Sequence, residues 1–146
     1  MILLDTSGLL AALDSAQRQH SEAAASLAVA APPLLLSPFV LAELDYLLAT
    51  RVGATARMSL LGEVERGAYN LQPFTASDIR SATAVIKRHA GLGISLADAS
   101  LVVLAARHST RDVLTLDERH FRILRTNRKH FRLLPADDEP SRRQRS

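Results

Sequence analysis

Four short, almost wholly apolar runs constrain this chain most: Ile2-Leu3-Leu4, Leu34-Leu35-Leu36, Asp112-Val113-Leu114-Thr115-Leu116 and Phe131-Arg132-Leu133-Leu134. None alternates apolar with polar, as a strand wetted on one face would. A brief fifth run, Tyr69 to Leu71, joins them. Between them lie stretches with helical spacing. Leu9, Leu10 and Leu13 follow the first run, and a helix from about Gln17 to Val29 is stopped by Pro32-Pro33. Ser37 as N-cap with Pro38 at the first helical position opens a helix to about Arg51, ended by Gly53. Further helices are expected from Ala54 to Arg66, from Thr75 or Ser77 to His89, and from Ser95 through Arg107. Strands buried on both faces and separated by helices predict an α/β class fold, an α/β/α sandwich with a mostly parallel central sheet and helices on each side.

At 146 residues and 47% hydrophobic content the chain suits one domain with one core, expected over residues 1–135, with a polar, disordered tail over 136–146. No apolar run reaches the roughly 18 residues of a membrane span, and no basic stretch precedes Met1-Ile2-Leu3-Leu4-Asp5 as a signal peptide would require. A cytoplasmic location is the expectation. With no cysteine, thiolate zinc sites and Cys nucleophiles are excluded, so any metal must be held by oxygen or imidazole. The net charge of +3 is polarised: from Arg107 onward there are 11 Lys and Arg against 6 Asp and Glu, before it 7 against 9. A basic C-terminal third suits a polyanion, and a solvated face gives the same pattern.

The acids fall where an open parallel sheet binds ligands, beyond the carboxyl ends of its strands. Asp5 closes the first run and Asp117 follows the strand ending at Leu116. Asp98 shares a helical stripe with Leu101, Val102 and Ala105, and Glu43 is flanked at helical spacing by Phe39, Val40, Tyr46 and Leu47. Carboxylates so surrounded need compensation, and a hard divalent cation supplies it. Such a site orients and acidifies water for in-line attack on a phosphodiester, with no Ser, Cys or His nucleophile. Each acid also has a local explanation. Asp5 and Asp117 can act as helix caps, and Ser95 to Asp98 fits a capping box. Asp45 shares the helix of Glu43, and spacing does not choose between them.

These segments resemble, in order, the motifs of the PIN-domain ribonucleases and of VapC toxins in particular. Met1 to Ser7 resembles the opening strand with its first acid and hydroxyl, and Ser37-Pro38-Phe39-Val40-Leu41-Ala42-Glu43 the second motif. Ser95-Leu96-Ala97-Asp98-Ala99 resembles the third, and Leu114 to Phe121, with Asp117, the fourth. The resemblance selects Glu43 over Asp45. It implies a metal site of Asp5, Glu43, Asp98 and Asp117 binding Mg²⁺ or Mn²⁺, with Thr6 and Thr115 as supporting hydroxyls. It also implies a type II toxin–antitoxin toxin, an endoribonuclease acting on tRNA or rRNA, a homodimer, and a VapB-type antitoxin.

Arg107, Arg111, Arg119, Arg122, Arg125, Arg128 and Lys129 are then candidates for RNA phosphate contacts, as are Arg142, Arg143 and Arg145 in the tail. His120 is a candidate for metal or substrate contact, against a purely structural role. The competing readings are a DNA-directed nuclease of the same chemistry and a non-catalytic binding module that keeps its acids as caps. A phosphatase-like enzyme is disfavoured, because no Gly-rich phosphate loop follows the first run.

Overall fold

A computed structural model describes residues 1–138. Five strands form one all-parallel sheet in the order β3-β2-β1-β4-β7: β1 Ile2–Leu4, β2 Leu34–Leu36, β3 Asn70–Leu71, β4 Asp112–Leu114 and β7 Arg132–Leu134. Leu3 and Leu4 pair with Leu35 and Leu36 on one side and with Val113 and Leu114 on the other. All six side chains are fully buried. This is why the runs carry no alternation: both faces of the central strands are covered. Truncating any of these leucines to Ala would cost about 2–5 kcal/mol.

The helices are α1 Thr6–Leu13, α2 His20–Val29, α3 Pro38–Leu47, α4 Ala54–Glu65, α5 Ala76–Arg88, α6 Leu96–His108 and a single turn, α7 Glu118–Phe121. Among the described residues no helix is long and apolar enough to cross a membrane. Ser37 caps α3, with Pro38 at its first position, and of Thr75 and Ser77 it is Thr75 that caps α5, in a capping box with Asp78. The helix expected to run on to Arg51 changes at Leu48 into a π turn, Leu48–Val52, before Gly53. α2 begins at His20 instead of Gln17. Asp14 accepts from the Ala16 amide and from the Gln17 side chain, and these local bonds hold the connection in a turn.

β4 is two residues shorter than expected. At Thr115 the side-chain hydroxyl takes the Asp117 amide at 2.9 Å, turning the backbone out of the sheet at the point where the acids gather. A small antiparallel hairpin absent from the sequence reading, β5 Arg125–Thr126 and β6 Lys129–His130, turns through Asn127 and Arg128 at positive φ. The polar segment after Pro135 is anchored at its start. Asp137 accepts from the Leu133 amide at 2.8 Å and Asp138 from the Ser26 hydroxyl at 2.7 Å. The remainder of the expected tail, with Arg142, Arg143 and Arg145, lies outside the described residues.

Candidate metal centre

All four acids singled out in the sequence sit at the carboxyl ends of the strands, but they are not equivalent. Asp5, directly after β1, is bonded through its amide to the carbonyl of Leu114 and is 95% buried. It occupies the N-cap position of α1 without capping it. Its Oδ2 instead accepts from the Thr115 hydroxyl at 2.7 Å and the Ser7 hydroxyl at 2.9 Å. Burial pushes the Asp5 carboxyl up to about 6, against the pull of the Thr115 hydrogen bond and with a further push from the nearby Asp98 charge. The purely capping account of Asp5 is thereby overturned.

A glycine makes this junction possible. A Cβ on Gly8 would stand 2.3 Å from the Leu114 carbonyl oxygen, so α1 can lie against the end of β4 only if residue 8 has no side chain. Ser7 then reaches across to accept from the Leu116 amide at 3.0 Å, locking the α1 start to the chain after β4.

Asp98 and Asp117 both cap and face the centre. Ser95 and Asp98 form the capping box at the start of α6, with Asp98 Oδ2 accepting from the Ser95 amide at 3.0 Å. Asp117 Oδ1 accepts from the His120 amide at 3.0 Å, which leaves its Oδ2 2.8 Å from the His120 ring. One oxygen each of Asp98 and Asp117 and one ring nitrogen of His120 lie within 4.8 Å of one another, a spacing that one cation could bridge. His120, named in the sequence as a candidate for metal contact, thus belongs to a group from which two of the four predicted acids, Asp5 and Glu43, are absent. A usable signal was present in the sequence, since a residue three positions after Asp117 in a helical turn shares its face.

Glu43 corrects an expectation. It is exposed, not enclosed by apolar groups, because Val40, Leu44 and Leu48 form the buried stripe and Tyr46 points outward with 67% exposure. Its Oε2 accepts from the Thr6 hydroxyl at 2.7 Å, which holds it on the rim next to Asp5. The rival carboxylate Asp45 is paired with Arg57 at 2.6 Å. Glu43 lies outside the three-residue cluster, and so does Asp5, which is tied to it through Thr115: one hydroxyl bonds both Asp5 and the Asp117 amide.

A buried serine pair sets α3 against α6. Ser100 donates to the Ala97 carbonyl at 2.6 Å, so the 2.7 Å contact with Ser37 must be a bond donated by Ser37. The start of α3, the helix that carries Glu43, is thereby fixed to α6, the helix that carries Asp98. Neither this pair nor the roles of Ser7 and Gly8 were assigned from sequence, since each depends on contacts between distant segments.

The residues fit a divalent cation. His120 Nδ1 is buried and makes no hydrogen bond among the described residues, although two carboxylates lie 2.8 and 3.4 Å away. An orphaned nitrogen facing two carboxylates is a donor set that a cation completes. Of the basic candidates, Arg107 is engaged with Asp78 and the Pro73 carbonyl, Arg122 with Glu118 and Asp137, Arg111 with the His130 carbonyl and Arg125 with the His130 ring. Arg119, Arg128 and Lys129 are exposed, and Arg119 lies on the same turn as His120.

Comparison with known proteins bears on the fold and the family. Residues 2–126 match the PIN domain. The chain is 44% identical over 124 residues to ribonuclease VapC26 of Mycobacterium tuberculosis, spanning 85% of this chain and 92% of that protein. Its fold matches the crystal structure of VapC20 of M. tuberculosis, described as a sarcin-ricin loop cleaving toxin, with a TM-score of 0.75 at 23% identity over 80% of this chain and 90% of that one. It also matches FitAcB from Neisseria gonorrhoeae, with a TM-score of 0.51 at 25% identity, over 77% and 88% of the two chains.

Proposed function

This chain belongs to the PIN-domain family and, within it, to the VapC ribonucleases, and from that premise we propose that it is a toxin-type endoribonuclease whose Asp5, Glu43, Asp98 and Asp117 form a site for Mg²⁺ or Mn²⁺. The observation that carries this is the convergence of acids on the sheet's carboxyl rim with no Arg or Lys bonded to any of the four among the described residues. Natural proteins seldom leave such a group of charges uncompensated unless a ligand supplies the positive charge.

When bound, a divalent cation would polarise a phosphate oxygen and lower the pKa of water for in-line attack. The chain's own part is positional. Thr115 and Ser7 hold Asp5 Oδ2, the His120 amide turns Asp117 Oδ2 inward, and Ser95 fixes the rotamer of Asp98. Thr6 keeps Glu43 at the mouth of the site, and Arg119 on the rim offers a phosphate contact.

The substrate class is structured RNA, ribosomal or transfer. Aromatics make up only 4% of the chain, too few for an extended base-stacking surface, so shape and backbone recognition fit best. A VapB-type antitoxin is the inhibitory partner and the cytoplasm the compartment. Tyr46, Val52 and Met58, exposed on α3, the π turn and α4, supply the apolar face of a homodimer.

The test is cleavage of total cellular RNA by purified protein, with and without Mg²⁺ or Mn²⁺, beside Asp5→Asn, with new ends mapped by sequencing. Discrete metal-dependent cuts lost in the variant support the reading. Cuts in single-stranded DNA alone would make it a DNA nuclease. No cuts together with no cation binding by calorimetry would leave a non-catalytic binding module.

A further inference from the structure

The imidazole of His120 is fixed in a way that the acidic site does not by itself require. Its Nε2 lies 3.1 Å from the carbonyl oxygen of Leu92, in the short turn Ala90–Leu92 that Gly93 closes in the left-handed conformation. A carbonyl only accepts, so Nε2 carries the proton. In the neutral ring the lone pair therefore sits on Nδ1. That nitrogen is buried, 2.8 Å from Asp117 Oδ2 and 3.4 Å from Asp98 Oδ2, and not aligned to bond either. A lone pair facing two carboxylates is repulsive unless something positive lies between them, and a ring proton would be poorly aimed at both oxygens.

We infer that His120 is a nitrogen ligand of the metal site, held in its ligating tautomer by the Leu92 carbonyl, and that it shifts the site's preference from Mg²⁺ toward Mn²⁺ and later first-row ions. The inference rests on the acidic cluster being a cation site and adds a ligand and a selectivity to it. The physical reason is the character of the donors. Carboxylates alone serve Mg²⁺ and Mn²⁺ nearly alike, whereas imidazole binds transition ions better than the strongly hydrated Mg²⁺. A ring nitrogen donating its other N–H to a backbone carbonyl is the outer-shell arrangement that fixes orientation and raises the basicity of ligating histidines.

The test uses the full chain with MnCl₂ and MgCl₂. Pulsed electron paramagnetic resonance of protein-bound Mn²⁺ should show coupling to an imidazole nitrogen. That coupling should change on ¹⁵N-histidine labelling and disappear in His120→Gln. Calorimetry should show the preference for Mn²⁺ over Mg²⁺ falling about tenfold or more in His120→Gln, at least what loss of an outer-shell partner costs. Circular dichroism checks that the variant folds, and if it does not, the labelled wild-type spectrum decides. Mn²⁺ bound in an Asp98-dependent manner without nitrogen coupling, or an unchanged metal preference in folded His120→Gln, would overturn the role of His120 and leave the acidic site standing. Absence of any Mn²⁺ or Mg²⁺ binding would overturn both.

Discussion

Two sets of carboxylates in this molecule have opposite surroundings. Away from the sheet's carboxyl rim, four acids are matched to arginines: Asp45 to Arg57, Asp78 to Arg107, Asp112 to Arg132 and Asp137 to Arg122, at 2.6 to 3.1 Å. On the rim, Asp5, Asp98, Asp117 and Glu43 are held by hydroxyls, backbone amides and a histidine. The first set is arranged for a chain complete in itself. The second gathers negative charge with no arginine or lysine bonded to it among the described residues, which costs stability and which a bound cation or cationic partner would offset. The pKa shifts follow the same division, with Asp78 and Asp137 held below the usual carboxylate range by hydrogen bonds and Asp5 raised by burial.

The largest effect expected from breaking this contrast is at Asp5. Asp5→Asn keeps an oxygen for the Thr115 and Ser7 hydroxyls but removes the buried charge. RNA cleavage should fall by on the order of a hundredfold or more. The metal-free protein should meanwhile become more stable at pH 7, by up to about 3 kcal/mol, the equivalent of a shift from 3.8 to about 6. Denaturant melts in a chelating buffer, set beside the cleavage assay, measure both. A loss of stability in Asp5→Asn would show that the charge is already compensated.

Gly8→Ala attacks the scaffold and leaves every acid in place. Its methyl would collide with the Leu114 carbonyl, so α1 must move away from β4 and the Asp5–Thr115 bond must stretch. A destabilisation of about 1–3 kcal/mol is expected. Cation affinity should drop as well, readable by calorimetry on the folded fraction.

The pH dependence sharpens the comparison, because the two sets act with opposite sign. With its folded pKa raised, Asp5 makes the native state bind more protons than the unfolded chain between pH 3.8 and about 6. Its contribution to metal-free stability therefore improves as pH falls through that window and is most unfavourable above it. Asp78 and Asp137 have lowered values, so their contributions are full above the unfolded carboxylate pKa and fade as pH falls through their folded values. Thermal melts with chelator should show the Asp5 component in wild type and lose it in Asp5→Asn. A saturating divalent cation, which competes with the proton, should also suppress it.

The smallest effect belongs to the compensated set. Arg122→Ala removes two exposed ion pairs at 2.8 Å, to Glu118 and Asp137, and should cost about 1 kcal/mol or less after solvent screening. Cation binding should be unchanged. A large effect on the metal would mean that the two sets of acids are coupled.

Much of the fold was readable because it rests on local chemistry. Doubly buried strands must be apolar throughout, and Ser37-Pro38 and the Thr75 and Ser95 capping boxes mark helix starts whatever surrounds them. The exposure of Glu43 was misjudged because helical spacing identifies neighbours without saying which of them face the core. The hairpin at residues 125–130 was missed because its turn uses Asn127 and Arg128 at positive φ in place of a glycine.

By itself the sequence determined which residue types reach the rim: Asp5 and Asp117 after strands, Asp98 at a helix start and Glu43 within a helix, in a PIN-like motif order and with no thiol to compete for a metal. Tertiary structure alone decided how they meet. It brought Asp98, Asp117 and His120 within one ion's reach, placed Asp5 behind a threonine 110 residues away, and fixed the His120 tautomer through a carbonyl 28 residues earlier in the chain. The reason is physical: residue type and spacing act along the chain, whereas burial, charge coupling and tautomer depend on what the folded chain places opposite each group.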